Sequence, residues 1–239
     1  MALQLGRRRA LGAIALALAT WPAAAAGKRI IVFGASRETG LEVTKILAAR
    51  GDVVTAFVRP GSDRGGLAPL GVAYAVGDAL EPASLQAAFA AQRYDAVICT
   101  IGGSRGDRRP DYEGVRNIVD AAKAAGVKRF VLVTVIGAGD SWNAVSDRVK
   151  QVLGPVIELK TKAEAHLTAS GLDYTIVRPG GLNDLPAAGK GRLYDDHMTM
   201  GEIGRADLAQ LVVQALDDDA TIGRIYHAID EEMLGKPPM

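Results

Sequence analysis

The stretch Lys28-Arg29-Ile30-Ile31-Val32-Phe33-Gly34-Ala35-Ser36-Arg37-Glu38-Thr39-Gly40-Leu41 decides the fold. An apolar run runs into a glycine-punctuated turn. A helical pattern follows on Leu41, Val43, Ile46 and Leu47, and a second apolar run, Val53 to Val58, ends on Arg59. Strand, turn, helix and strand in this order present a helix N-terminus to the pyrophosphate of a dinucleotide. Gly34 at the turn avoids a Cβ clash, and Gly40 at the helix start lets helix and strand approach closely.

The end of the second strand reads the rest of the cofactor. NAD enzymes carry an acidic residue there for the ribose 2′-hydroxyl. This chain has Arg59, with Arg64 beyond it. A guanidinium pairs with a 2′-phosphate through two parallel charge-assisted hydrogen bonds, and a carboxylate would repel that phosphate. NADP(H) is therefore expected over NAD(H).

The alternation continues along the chain. Strands are expected at Val72–Val76, Ala96–Thr100, Phe130–Thr134, Tyr174–Arg178 and Arg224–Ile229. Helices are expected from Pro82, over Asp111–Ala125, over Val156–Ser170 and over Arg205–Leu216, with irregular stretches at Gly137–Gly154 and Leu182–Met200. Strands separated by helices mean an α/β fold, a single doubly wound Rossmann domain with a mostly parallel sheet. A chain of 239 residues, 49% apolar and only 5% aromatic, suits one such domain, assigned to residues 27–239. The net charge of +1 and the lack of a basic block beyond the N-terminus give no sign of nucleic-acid binding. The single cysteine, Cys99, excludes an intramolecular disulfide. His166, His197 and His227 are scattered and read as surface or loop residues, so no metal is expected.

Residues 1–26 differ in kind. Arg7-Arg8-Arg9 precedes an apolar run that ends in Ala23-Ala24-Ala25-Ala26. A basic region, a short apolar region and a small-residue cleavage site make a secretory signal, here with a twin-arginine flavour. The run is short for a membrane span, and none is expected in the mature chain. A periplasmic or otherwise exported protein is the expectation; a cytoplasmic protein with a misassigned start, or an N-terminal anchor, is the alternative.

Gly34 to Gly40, Val76-Gly77-Asp78, Arg129 to Thr134, Lys162-Ala163-Glu164 and Gly171 to Gly180 together resemble the atypical short-chain dehydrogenase/reductases. The similarity is to their NAD(P)H-binding, NmrA-like branch, which includes flavin and biliverdin reductases, and it covers nearly all of the chain beyond the signal. The resemblance implies that Gly34, Ala35, Ser36, Arg37, Thr39 and Gly40 lie along the cofactor phosphates, that Asp78 and Ala79 flank the adenine, and that Thr100, Ile101 and Gly102 line the ribose and nicotinamide side. Pro179, Gly180 and Gly181 would close over the nicotinamide. Thr134 and Lys162 would hold catalytic positions, with Lys162 also on the cofactor ribose as the lysine of a Tyr-x-x-x-Lys pair.

Two departures stand out. In the Gly-x-x-Gly-x-x-Gly form of the phosphate motif Arg37 replaces the middle glycine; in the Gly-x-x-x-Gly-x-Gly form Glu38 does. The tyrosine is also missing, since Glu158 stands four residues before Lys162. Tyr112 and Arg116 share that spacing by coincidence. Without the tyrosine that delivers a proton alongside hydride, two functions remain. One is a reductase passing hydride to a flat small-molecule acceptor such as a flavin, quinone or bilin, enclosed by the stretches that carry Trp142, Met198 and Met200. The other is a non-catalytic NADP(H)-binding sensor or assembly factor. A monomer or homodimer is expected in either case.

Overall fold

Alternate residues of Ile30-Ile31-Val32-Phe33 point to opposite faces of a strand, and each face of this one is buried: all four side chains are inaccessible to solvent. The computed structural model describes residues 27–103 and 109–235; the segment read as a signal lies outside them. Eight strands form one sheet: β1 (Arg29–Phe33), β2 (Val53–Val58), β3 (Ala73–Val76), β4 (Ala96–Cys99), β5 (Arg129–Val133), β6 (Asp173–Pro179), β8 (Gly191–Tyr194) and β10 (Arg224–Asp230). Their order is β3-β2-β1-β4-β5-β6-β10-β8, and every pairing is parallel except that of β8 with β10. A separate parallel pair joins β7 (Gly181–Asn183) to β9 (Glu202–Gly204).

Helices α1 (Glu38–Ala49) and α5 (Arg205–Asp217) cover one face, burying Val43, Leu47, Leu208 and Val212 against Ile30, Val32, Ile98 and Val131. Helices α2 (Pro82–Ala91), α3 (Glu113–Ala124) and α4 (Asp147–Thr168) cover the other, burying Leu85, Ile118 and Leu167 against Ile31, Phe33, Val97 and Leu132. This is the doubly wound α/β arrangement expected from the sequence. The strand order reverses between β1 and β4, and ligands of such sheets bind at that crevice, beyond the carboxyl ends of the strands.

Two stretches expected to be irregular are not wholly so. α4 starts at Asp147, where Ser146 Oγ accepts from Val149 N at 3.4 Å. Pro155 therefore lies inside the helix rather than marking its start. Most of β7 and all of β8 fall within 182–200, and β9 follows shortly after it, pinned by pairings to distant segments. A small third cluster of Ile136, Ala144, Val145, Ile157 and Ile229, with Val149 and Met200 against it, packs these segments together beyond the ends of β5, β6 and β10.

Candidate cofactor and acceptor site

The turn after β1 shows why its glycines are needed. Gly34 has φ +88, and a Cβ there would lie 2.5 Å from Thr100 Oγ1. A Cβ on Gly40 would overlap the Gly34 carbonyl oxygen. Thr100 Oγ1 itself donates to Phe33 O at 3.1 Å, tying the end of β4 to the end of β1. The turn thus folds tightly onto the crevice and leaves the start of α1 facing it.

The turn also settles which motif form applies. Arg37 is extended, with φ −149 and ψ 159. Glu38 has φ +50 and is the one non-glycine residue with positive φ among the described residues. The missing glycine is therefore the one replaced by Glu38. An L-residue in the left-handed region costs about 1–2 kcal/mol. The Glu38 carboxylate points outward to Arg205 Nη2 at 3.7 Å, and Arg205 Nη1 also binds Asp184 Oδ1 at 2.8 Å. Glu38→Gly is expected to relieve that strain, less the entropy glycine costs, and to remove a negative charge beside the phosphate cradle. NAD(P)H should then bind several-fold more tightly in a fluorescence titration; weaker binding would contradict this account of the turn.

The other positions expected at the cofactor lie at or near strand ends. Arg59 is exposed just beyond β2, and Arg64 lies over the Tyr74 ring at 5.1 Å. Asp78 Oδ1 accepts from Leu80 N at 2.9 Å, and buried Ala79 offers its carbonyl to Asn117 Nδ2 at 3.1 Å. Gly180 has no room for a side chain, since a Cβ would overlap Gly201 O, and Pro179 O accepts from Ile136 N at 3.0 Å. Ser36 lies in the turn after β1, Thr39 in the first turn of α1, Ile101 and Gly102 just after β4, and Gly181 at the start of β7.

Lys162 is the clearest correction. It stands on an exposed face of α4, its ammonium 2.8 Å from Glu158 Oε1, and its side chain is 52% exposed. The hydrogen bond from Lys162 holds the Glu158 carboxyl below the usual carboxylate range, the opposite of what a substitute acid requires. The lysine directed at the end of β4 is Lys160, with Nζ 3.4 Å from Ile101 O and 3.4 Å from Asp111 Oδ1. Asp111 is 1% exposed, and its other oxygen accepts from Gly103 N at 2.8 Å. Its Oδ1 is buried without a hydrogen-bond partner among the described residues. The residue four before Lys160 is Val156, so this helix face carries no hydroxyl at that place either.

Thr134 is a second correction. Its side chain is buried and donates to Glu164 Oε1 at 2.6 Å, so its one hydroxyl proton is committed away from any acceptor. Glu164 also receives Arg178 Nε at 3.1 Å and Nη2 at 2.7 Å; Arg178 Nη1 reaches Asp140 Oδ1 at 2.6 Å. Burial opposes the charge of Arg178, and the Glu164 and Asp140 carboxylates more than offset it, raising its pKa. His166 on the surface of α4 and His197 in a loop are placed as expected, but the third histidine is not. His227 is fully buried, and its ring stacks on that of His197 at 5.3 Å. Sequence reading missed this network; the signal was there in Glu164, a carboxylate beside Ala163 and three residues before Leu167 on the buried face of α4.

Cys99 is not a nucleophile at neutral pH, since burial pushes its thiol up to about 12. Trp142 is 41% exposed in the 3₁₀ turn Gly139–Ala144, with Lys150 Nζ 5.6 Å from its ring centre. Among the described residues no group of three or more His, Cys, Asp or Glu is placed to hold a metal, and no helix is long and apolar enough to cross a membrane. A groove between α2 and α3, lined by Phe89 and Ala121, involves none of the strand ends.

A tight turn at a switch point, a helix N-terminus against it and a buried lysine–carboxylate pair across the crevice define a dinucleotide-binding protein of the Rossmann class. A family model described as NAD(P)H-binding matches residues 34–219, and the chain belongs to that family of atypical short-chain dehydrogenase/reductases. It is 34% identical to ChuY, an anaerobilin reductase from Escherichia coli O157:H7, with a TM-score of 0.79 covering 87% of this chain and 99% of that one. It is 33% identical to the uncharacterized sugar epimerase YhfK of Bacillus subtilis, over 83% of this chain and 92% of that protein. A shorter match, 40% identity over 113 residues, links it to the sanguinarine reductase of Eschscholzia californica, covering 45% of this chain and 40% of that enzyme.

Proposed function

We propose that the protein is an NADPH-preferring reductase of a flat, conjugated acceptor, with a bilin as the leading class and flavins and quinones as alternatives. The observation that carries this reading is the crevice at the ends of β4 and β5. Val156 stands where a tyrosine acid would be, Thr134 is committed to Glu164, and the Lys160 ammonium reaches Ile101 O. A carbonyl reductase needs a positioned acid for the developing alkoxide. An extended conjugated ring spreads the incoming charge and takes its proton from solvent. The similarity to an anaerobilin reductase and to a sanguinarine reductase, both named for polycyclic or polypyrrolic substrates, supports the same class.

The cofactor fits the residues present. Gly34 and Gly40 leave no space for side chains where the backbone must approach a pyrophosphate. Asp111 Oδ1, ion-paired with Lys160 at 3.4 Å but without a hydrogen-bond partner among the described residues, and the Lys160 ammonium offer an acceptor and a donor for the nicotinamide ribose hydroxyls. When bound, NADPH supplies the hydride. The chain's own part is to orient the ring through Lys160 and the Thr100–Gly103 segment, to close over it with Pro179–Gly181, and to keep water out with the apolar loops beyond β5 and β6. Positioning of this kind is the main catalytic resource where little acid–base chemistry is needed. Arg59 supports NADPH over NADH.

Lys160 and Lys162 separate this site from the one implied by motif spacing. Lys160→Ala should weaken NADPH binding about tenfold, the lower range for a charged hydrogen bond. Lys162→Ala and Glu158→Gln should leave binding and turnover within a factor of two. Fluorescence titration together with NADPH oxidation in the presence of biliverdin, FMN and a water-soluble quinone checks this. Equal losses in both lysine variants, or a large turnover loss in Glu158→Gln, would contradict the assignment.

A further inference from the structure

The proposed reaction leaves one polar cluster unused, and its hydrogen bonds identify a charge state. His197 Nδ1 lies 2.7 Å from Asp140 Oδ2, and His197 Nε2 lies 3.1 Å from Ile225 O. Both partners are acceptors. A neutral imidazole carries one N–H and one lone pair, so it satisfies only one of these contacts and sets lone pair against lone pair at the other. The imidazolium donates to both. Asp140 is itself kept ionised: partial burial opposes its charge, but hydrogen bonds from Arg178 and His197 outweigh that and hold its carboxyl below the usual range.

The charged and titratable groups facing His197 come from four segments. Asp140 is on the 3₁₀ turn after β5, Arg178 on β6, His227 on β10, and Asp196 beside His197 itself. His227 turns Nδ1 to Thr199 O at 2.8 Å, which requires the N–H there. Burial, joined by the Arg178 and His197 cations, lowers its pKa, so it remains a neutral ring under the His197 cation. Asp140 is 65% exposed and His197 23%, so the pair is open to solvent protons, whereas Arg178 and Glu164 behind it are not.

We infer that His197 is a positioning residue that clasps the acceptor loops together when it is protonated. Charged, it ties the turn carrying Trp142 to the loop carrying Met198, through Asp140 and the buried Arg178–Glu164 pair. Uncharged, it has one N–H for two acceptors, so either Asp140 or Ile225 O loses its donor and the tie between the turn, the loop and β10 weakens. The loops are therefore held more tightly in the charged form than in the neutral one. That these loops enclose the acceptor rests on the proposed function; that they are clasped does not.

The test is hydrogen–deuterium exchange of the full chain at about pH 5.5 and pH 8, corrected for intrinsic exchange. It compares wild type, Asp140→Asn and His197→Gln over the segments around Trp142 and Met198. Wild type should lose about tenfold in protection in both segments as pH rises, the scale of a charged hydrogen bond. Both variants should be poorly protected at either pH. With biliverdin as the probe acceptor, its KM should rise with pH in wild type and stay level in Asp140→Asn, while kcat changes less. Protection that does not change with pH in wild type, or variants that respond as wild type does, would overturn the clasp. If biliverdin is not reduced at all, the exchange data still decide the clasp, and it is the reductase reading that fails.

Discussion

Arg178→Met is expected to lower the free energy of unfolding by about 3–5 kcal/mol, the cost of removing one partner of a buried ion pair. Arg178 is 1% exposed and Glu164 4% exposed. The two are joined by contacts of 3.1 and 2.7 Å, and Thr134 adds a third hydrogen bond to the same carboxylate. Methionine fills the aliphatic part of the arginine but leaves the Glu164 charge buried with a single hydroxyl donor. The loss is read as a lower midpoint in urea with an unchanged slope. Replacing both partners, as Arg178→Met with Glu164→Leu, should recover much of it, because no uncompensated charge then remains. A single variant as stable as wild type would mean that the pair contributes nothing beyond packing.

Arg59→Asp is expected to weaken NADPH binding by about 1.5–3 kcal/mol, roughly ten- to a hundredfold, through loss of a charge-assisted hydrogen bond to the 2′-phosphate. NADH, which lacks that phosphate, should lose little or bind slightly better, because the new carboxylate stands where NAD enzymes hold the ribose hydroxyl. Arg59 follows the last residue of β2 and is exposed, so the substitution leaves the core intact. Parallel titrations with both nucleotides decide it. Equal losses, or none, would show that another residue reads the phosphate, and Arg64 over Tyr74 is the nearest alternative.

The sequence carried the sheet well because each parallel strand is buried on both faces and so reads as an apolar run of its own. Ile30–Phe33, Ala96–Cys99 and Phe130–Val133 are legible without knowledge of their partners. β7, β8 and β9 are not legible in this way. They are three or four residues long, and residues between Gly181 and Gly204 become strand only through pairing with segments far along the chain. The start of α4 was hidden by Pro155, which the helix accommodates at the loss of one N–H.

The lysine was misplaced for a geometric reason. Two residues along a helix amount to about 200° of rotation, so Lys160 and Lys162 face opposite ways, and with the tyrosine absent no local pattern distinguishes which one faces the crevice. The phosphate turn shows a similar limit. Arg37 and Glu38 both fitted a glycine's place on spacing, and only the backbone, with φ +50 at Glu38, distinguishes them. The Thr134–Glu164–Arg178–Asp140–His197 chain joins residues from five segments, and no local pattern announces such a network beyond a charged residue on an otherwise apolar face.

The central claim, that this chain passes hydride from NADPH to a flat acceptor without a protein tyrosine acid, is tested most directly by isotope transfer. The full chain is incubated with NADPH carrying deuterium on the hydride-donating carbon of the nicotinamide ring, and with biliverdin, FMN or a quinone in ordinary water. The reduced acceptor is then examined by mass spectrometry. The account predicts NADPH oxidation that requires the acceptor and, for biliverdin, a product that retains one deuterium at carbon. NADPH shown to be bound by titration, with no oxidation and no deuterium transfer to any of these acceptors, would contradict it and leave a dinucleotide-binding protein that does not reduce them.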